Sequence, residues 1–432
     1  MKFYNLKNKY ERMNFIQATN IGIGSKQGLF FPKKLPKFTK KEISSLLKTD
    51  FIYCSAKILS QYIGKEISFK KIFQYVKKSF FFPIPLKRVE NNIFCLELFH
   101  GPTLAFKDFG AQFMAQMINI KKNNKKSTII LTATSGDTGA AVAHAFYKMN
   151  NVKVVILYPK GKISFIQEKI FCTLGKNIYT ISINGNFDTC QNLVKRAFQD
   201  QTLKNIVNIN SANSINVSRL FAQICYYFEA VKKVPQKYRN QLVFSVPSGN
   251  FGNLTAGYLA KSLGLPIKKF IIASNINDTV PRYLQTGIWN PKKTIETLSN
   301  SMDINKPNNW PRIQELFRRK NWRLSDISYS TFSDQKTKQA IFELNRLNYV
   351  ADPHTAIAWM SLKQHLKPKE IGIFLGTAHP VKFNKLVESL IKKTIPISID
   401  LEKKINLPFL SINMDPNFDD IKNFLINISN VE

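Results

Sequence analysis

Between Phe51 and Phe80 apolar positions recur every three or four residues (FIYCSAKILSQYIGKEISFKKIFQYVKKSF), the spacing that lays one stripe of a helix on a core. From about residue 93 the texture changes. Short apolar runs read as buried strands at Ser127–Thr132 (STIILT), Val152–Leu157, Ile178–Ile183, Gln241–Val246 (QLVFSV), Lys269–Ser274 and the run into Gly376 (GIFLG). Helical periodicity fills the gaps at Ala140–Met149, Ile163–Leu174, Phe187–Phe198, Arg219–Val231, Leu254–Leu263 and Val381–Lys392. Parallel strands need crossover helices, so this alternation predicts an α/β fold with doubly wound parallel sheets. A twofold echo of strand, Ser-Gly-polar-x-Gly and helix, at Leu131–Ala145 and again at Val246–Ala260, points to two such subdomains behind a small, mainly helical N-terminal domain. The expected units are residues 1–90, 91–395 and a C-terminal extension, 396–432. Residues 280–350 are rich in Pro, Asn and charge and read as a surface excursion from one half.

Composition narrows the class. The chain has 432 residues, 44% hydrophobic and 12% aromatic, which is enough apolar surface to offset the entropy of folding and excludes a mainly disordered protein. The formal charge of +35 turns attention to nucleic acid, anionic membrane or acidic small molecules. The cations, however, are 52 Lys and 11 Arg, and Arg is the residue of bidentate phosphate and guanine recognition. The Lys are scattered in pairs such as Lys40-Lys41, Lys77-Lys78, Lys121-Lys122 and Lys392-Lys393, without basic blocks, beside 34 Phe. That pattern reads as drift toward A- and T-rich codons, so neither a nucleic-acid nor a membrane partner is expected. Five cysteines without CxxC spacing, and histidines without HExxH or HxH, suggest no zinc site or disulfide framework. No run of about 18 apolar residues occurs and the polar N-terminus lacks a signal-peptide core, so a cytoplasmic protein is expected; oligomeric state is left open.

Five segments carry candidate chemistry. In HGPTLAFKDFG (His100–Gly110), Lys107 sits among Leu104, Ala105, Phe106 and Phe109. Such a lysine either snorkels to solvent or is held as the neutral amine that a Schiff base requires, while Asp108 reads as a solvent-facing neighbour. SGNFGN (Ser248–Asn253) joins a strand to a helix and aims backbone N–H groups at one point, suiting a monophosphate; the chain has no GxxxxGK[ST]. TATSGDTGAA (Thr132–Ala141) offers hydroxyls at another helix start, where Asp137 would repel an anion unless it turns away or serves as the N-cap. GTAHP (Gly376–Pro380) lies at a strand's C-terminal edge, where open α/β sheets bind ligands. NSANSINVSRL (Asn210–Leu220) is either a second anion site or a polar capping turn.

Taken in order, YNLKNKYERMNFIQA, GLFFPKKLP, ELFHGPTLAFKDFG, LTATSGDTGAAVAHAF, NSANSINVSRL, SVPSGNFGNLTAG, PNNWPR and LGTAHPVKF resemble the threonine synthase family in its longer form, with an added N-terminal domain and the tryptophan-synthase-β-like fold. The resemblance covers nearly the whole chain. It implies pyridoxal 5'-phosphate as cofactor and O-phospho-L-homoserine as substrate, converted with water to L-threonine and phosphate by a carbon–oxygen lyase of threonine biosynthesis. It further implies Lys107 as the Schiff-base lysine and catalytic base, Gly249, Asn250, Phe251, Gly252 and Asn253 as the phosphate cup, and Thr377 at the pyridine nitrogen. Thr134, Ser135, Asp137 and Thr138 would meet the substrate carboxylate and the ring. Arg219, Lys162 and Lys382 are candidates for the substrate phosphate. Asn253 departs from an acidic residue common in the family, which puts any role needing that charge in doubt. The rivals are a threonine or serine dehydratase of the same fold and, more distantly, a basic nucleic-acid-binding protein.

Overall fold

The computed structural model describes residues 1–118 and 127–430; the Lys121-Lys122 pair lies outside them. The chain begins with a three-stranded antiparallel sheet in the order Asn8–Asn14, Lys2–Asn5, Phe30–Pro32, which the helical periodicity further on does not signal. Helices Lys40–Leu46, Phe51–Ile63 and Phe69–Ser79 follow. Each starts at a side-chain cap that satisfies an orphan amide: Thr39 in a reciprocal box with Glu42, Asp50 on Tyr53 N, and Ser68 on Lys71 N. Their apolar faces merge with the following unit. Tyr62 stacks on Phe221 with ring centroids 4.3 Å apart, and Phe3 and Phe15 close on the same ring.

Two parallel sheets carry the rest. The larger has six strands in the order Ser328–Phe332, Lys269–Asn275, Leu242–Pro247, Ile371–Gly376, Ile93–Glu97, Leu86–Glu90, all parallel except the last. The smaller has five, all parallel, in the order Ile412–Met414, Ile178–Ile183, Val152–Pro159, Thr128–Ala133, Asn208–Ser211. Helix Pro353–His365 packs across four strands of the larger sheet. The two echoed motifs therefore belong to different sheets, each leaving the C-terminal end of a buried strand.

Two regions differ from their expected reading. Residues 280–350 are not simply a surface excursion: Ser328–Phe332 is an edge strand, and Trp310 and Arg312 are fully buried. Arg312 donates to Phe30 O at 3.0 Å and Ile215 O at 2.6 Å, joining the N-terminal sheet to the segment before helix Val217–Ala222. The C-terminal segment supplies the strand Ile412–Met414, and helix Phe418–Asn430 buries Phe418, Ile421, Leu425 and Ile428 in the core that holds Cys190 and Leu193.

Candidate active site

Lys107 is the first residue of helix Lys107–Ile118. The loop before it is pinned to GTAHP, because Phe106 N donates to Thr377 O at 3.0 Å and Ala105 bridges Ala378. Asp108 does not face solvent as expected: it is fully buried and accepts from Thr103 N at 2.9 Å and Thr103 Oγ1 at 2.7 Å. Burial pushes its carboxyl up to about 6, against those hydrogen bonds. Lys107 Nζ has no hydrogen-bond partner among the described residues and lines a cavity of about 110 Å³. Loss of water pulls its amine down to about 8; Asp137 opposes that shift, while Lys382 and Arg219 add to it.

The second turn of the echo forms one wall. Helix Gly252–Ser262 has no side-chain cap, and Phe251 at its N-cap is left-handed, with φ 59°. The backbone amides of Gly249, Asn250, Phe251 and Gly252 make no hydrogen bond among the described residues, so a buried helix N-terminus presents its orphan donors to the cavity. Side chains hold the turn from behind. Asn250 Nδ2 donates to Ser214 Oγ at 2.7 Å, and Asn250 Oδ1 accepts from Asn308 N at 2.6 Å. Asn253 Oδ1 accepts from both Tyr226 and Tyr227 hydroxyls at 2.7 Å, which leaves Asn253 Nδ2 buried without a partner. The uncharged amide thus serves as the acceptor for two phenols.

The first turn is built differently. Thr134 Oγ1 accepts from Gly136 N at 3.1 Å and Gly139 N at 2.9 Å, so its hydroxyl shapes the start of helix Asp137–Phe146. Asp137 is not the N-cap. It turns from the helix axis toward Lys382 Nζ at 2.5 Å and Gln167 Nε2 at 2.9 Å. Burial alone would raise its carboxyl; the Lys382 and Lys107 ammonium groups hold it well below the usual carboxylate range. Ser135 and Thr138 keep hydroxyls free of partners among the described residues and line the cavity.

All of Lys107, Thr134, Ser135, Asp137, Thr138, Arg219, Gly249, Asn250, Phe251, Gly252, Asn253 and Thr377 line this one cavity. Arg219 is buried; it donates to Ala212 O, and its Nε is unpartnered. Burial lowers its guanidinium to about 10. The other two phosphate candidates are otherwise engaged. Lys382 is fully buried on Asp137 and on Thr103 O at 3.0 Å, and Lys162 is exposed and paired with Glu296 at 3.1 Å. The sequence reading passed over His354, Ser301 and Met302, which also line the cavity. A signal existed in ADPHTA (Ala351–Ala356), where Asp and Pro mark a helix start directly before a histidine. The residues present fit pyridoxal phosphate: free amides at a helix N-terminus for a phosphate, and a desolvated, unpaired amine for an aldehyde. Among the described residues no helix is long and apolar enough to cross a membrane, and no group of metal-ligating side chains is found.

Comparison with known proteins shows the family. Residues 80–375 match the family of pyridoxal-phosphate dependent enzymes, and residues 2–80 match the threonine synthase N terminus. The chain is 59% identical to a threonine synthase of Buchnera aphidicola subsp. Schizaphis graminum and 57% identical to that of Escherichia coli, each over 99% of this chain and 100% of the relative. It superposes on the crystal structure of the E. coli protein with a TM-score of 0.96, covering 99% of this chain and 100% of the other. On a threonine synthase from Brucella melitensis with pyridoxal phosphate bound, the TM-score is 0.92 at 30% identity, covering all of both chains.

Proposed function

Because the chain belongs to the threonine synthase family of pyridoxal-phosphate-dependent enzymes, we infer that Lys107 is its catalytic amine and that the two echoed turns divide the binding of cofactor and substrate between them. The enzyme converts O-phospho-L-homoserine and water to L-threonine and phosphate. The cofactor supplies an electron sink for the charge left when a proton leaves the substrate's Cα. The amides of Gly249, Asn250, Phe251 and Gly252 would hold its phosphate without a cation, backed by Asn253. Thr377, which lines the same cavity, would offer the ring nitrogen a hydroxyl in place of a carboxylate. Lys107, whose amine desolvation draws down to about 8, takes the Cα proton. Ser135 and Thr138, with the amides of helix Asp137–Phe146, receive the substrate carboxylate. Asp137 spends its charge on Lys382 and so does not repel that carboxylate. Arg219, whose side chain lines the same cavity, is the cation assigned to the departing phosphate.

The observation that carries this assignment is the unpaired amine of Lys107 in the same cavity as the open amide cup. Borohydride reduction of the holoenzyme followed by peptide mapping tests it. The label is expected on Lys107; a label on any other lysine would overturn the reading. We also propose that the protein acts in the cytoplasm, supported by five free, buried cysteines. By the same reading the +35 charge has no nucleic-acid partner, because the anions of the reaction are met mainly by amides and hydroxyls. Duplex DNA binding that persists at about 0.15 M salt would contradict that.

A further inference from the structure

Segment 299–303 touches both turns of the echo. Ser301 Oγ donates to Asp137 Oδ2 at 3.4 Å, in the first turn. Met302 lies against the second, so close that a Cβ on Gly249 would stand 2.6 Å from Met302 Cα. The far end is fixed by Asp303, which accepts from Asn275 Nδ2 at 2.9 Å and from Thr297 N and Oγ1 at 3.0 and 2.7 Å. The middle is held at two points: Asn300 Nδ2 donates to Gln167 Oε1 at 3.3 Å, and Ser301 N donates to His354 Nε2 at 3.2 Å.

That imidazole is prepared for the task. His354 is 3% exposed and packs beside Phe383, with ring centroids 5.4 Å apart. Its Nδ1 lies 2.5 Å from Asp352 Oδ2. The other partners of that carboxylate are His354 N, Thr355 N and Thr355 Oγ1, all donors, so Nδ1 carries a proton and Nε2 is left with a lone pair. Asp352 thus fixes the tautomer and caps helix Pro353–His365 with the same carboxylate. The chemistry assigned above uses neither residue.

We propose that His354 is a positioning residue: its Nε2 lone pair sets segment 299–303 across the two turns, keeping Ser301 on Asp137 and Met302 behind the amide cup. One imidazole thereby couples the cofactor wall of the cavity to its substrate wall. The proposal rests on the roles given to Asp137 and the cup. A failure of the Lys107 reading shows separately, as a borohydride label on another lysine in the unmodified enzyme, and a failure of the cup as unchanged cofactor affinity in Gly249→Ala.

Three variants of the holoenzyme separate the two nitrogens of the ring. His354→Gln places an acceptor near the Nε2 position, His354→Asn places a donor toward Asp352 alone, and His354→Phe keeps the ring volume and removes both. Hydrogen exchange at the Ser301 amide, the rate of cofactor release followed by its absorbance, and kcat against KM for O-phosphohomoserine are measured for each. In the Phe and Asn variants we expect Ser301 exchange and cofactor release to rise about tenfold and kcat to fall about tenfold, with a smaller change in KM. The Gln variant is expected to stay near wild type in all of them. Rescue by Asn and not by Gln would reduce His354 to a partner for the Asp352 cap and overturn the proposal, as would wild-type values in all three. Should the Phe variant fail to fold, the Gln and Asn pair decides alone.

Discussion

At the end of strand Thr128–Ala133 the chain enters its helix through Gly136, φ 135°, where a Cβ would meet Gln167 Nε2 at 2.5 Å. At the end of Leu242–Pro247 it enters through Phe251, a bulky residue in the left-handed region at φ 59°, packed edge-on against Trp310 at 5.6 Å. The first turn is assembled by side chains around a charge: Asp137, Lys382 and Gln167, with Thr134 folding back on two amides. The second has no charge and leaves its amides open, with side chains serving only as backing. On the proposed reading, one sequence pattern yields two anion sites of different physics. A buried phosphate dianion is satisfied by many aligned dipoles, which need no counter-charge at the moment of binding. In the proposed assignment a substrate carboxylate that must come and go would be met by free hydroxyls, beside a carboxylate already paired with Lys382.

The contrast breaks most visibly at Asp137. Asp137→Ala leaves the ammonium of Lys382 fully buried with Thr103 O as its remaining hydrogen-bond partner, and is expected to cost about 3–5 kcal/mol in chemical denaturation of the apoprotein. A cost below about 1 kcal/mol would mean that the first turn does not depend on its charge pair. Gly249→Ala tests the backbone-built turn. The new methyl must push the Met302 backbone aside, at about 1–3 kcal/mol, and fluorescence titration should show weaker cofactor binding. Unchanged affinity would detach the cup from its backing. The smallest effect concerns the lysine between the turns. With its amine drawn down to about 8, the neutral form that attacks an aldehyde fills in from pH 8 rather than from pH 10.5. Cofactor uptake by the apoprotein should therefore rise about tenfold for each pH unit below 8 and level off above it. A rise continuing past pH 10 would mean that Lys107 is solvated like a surface lysine.

Much of this was legible because it is local. Strand Ile178–Ile183 has the bounds that its apolar run suggests, and helix Gly252–Ser262 starts two residues before the expected Leu254. Most candidate-site residues announced themselves as small or polar side chains in the turns that follow strands, whereas Lys107 and Arg219 stand in helices and Phe251 is apolar. What escaped depends on distant partners. The N-terminal strands KFYN and NKYERMN are short and polar, and become strands by pairing with each other and with Phe30–Pro32. The Asn- and Pro-rich stretch read as a surface excursion, yet its Asp303 and Asn305 bond Asn275 and Asn277 inside the protein; composition does not separate water from an internal partner. His354 was missed for the same reason, since its amide partner at Ser301 lies on another loop.

The strand order also sets a timetable for synthesis. Ile93–Glu97 takes its parallel neighbour from Ile371–Gly376, and four strands of the smaller sheet lie between them in the chain, while that sheet's outer edge arrives last, at Ile412–Met414. A nascent chain therefore exposes Lys107 and both turns long before Thr377 and the central strand of the larger sheet exist. The cofactor has no finished cavity to enter until translation is nearly over, and it cannot act as a template for the early chain. Pairing at such separations is slow, and its unpaired parallel edges stay open to aggregation in the interval. For this fold, the vulnerable moment is the wait on the ribosome for the final strands.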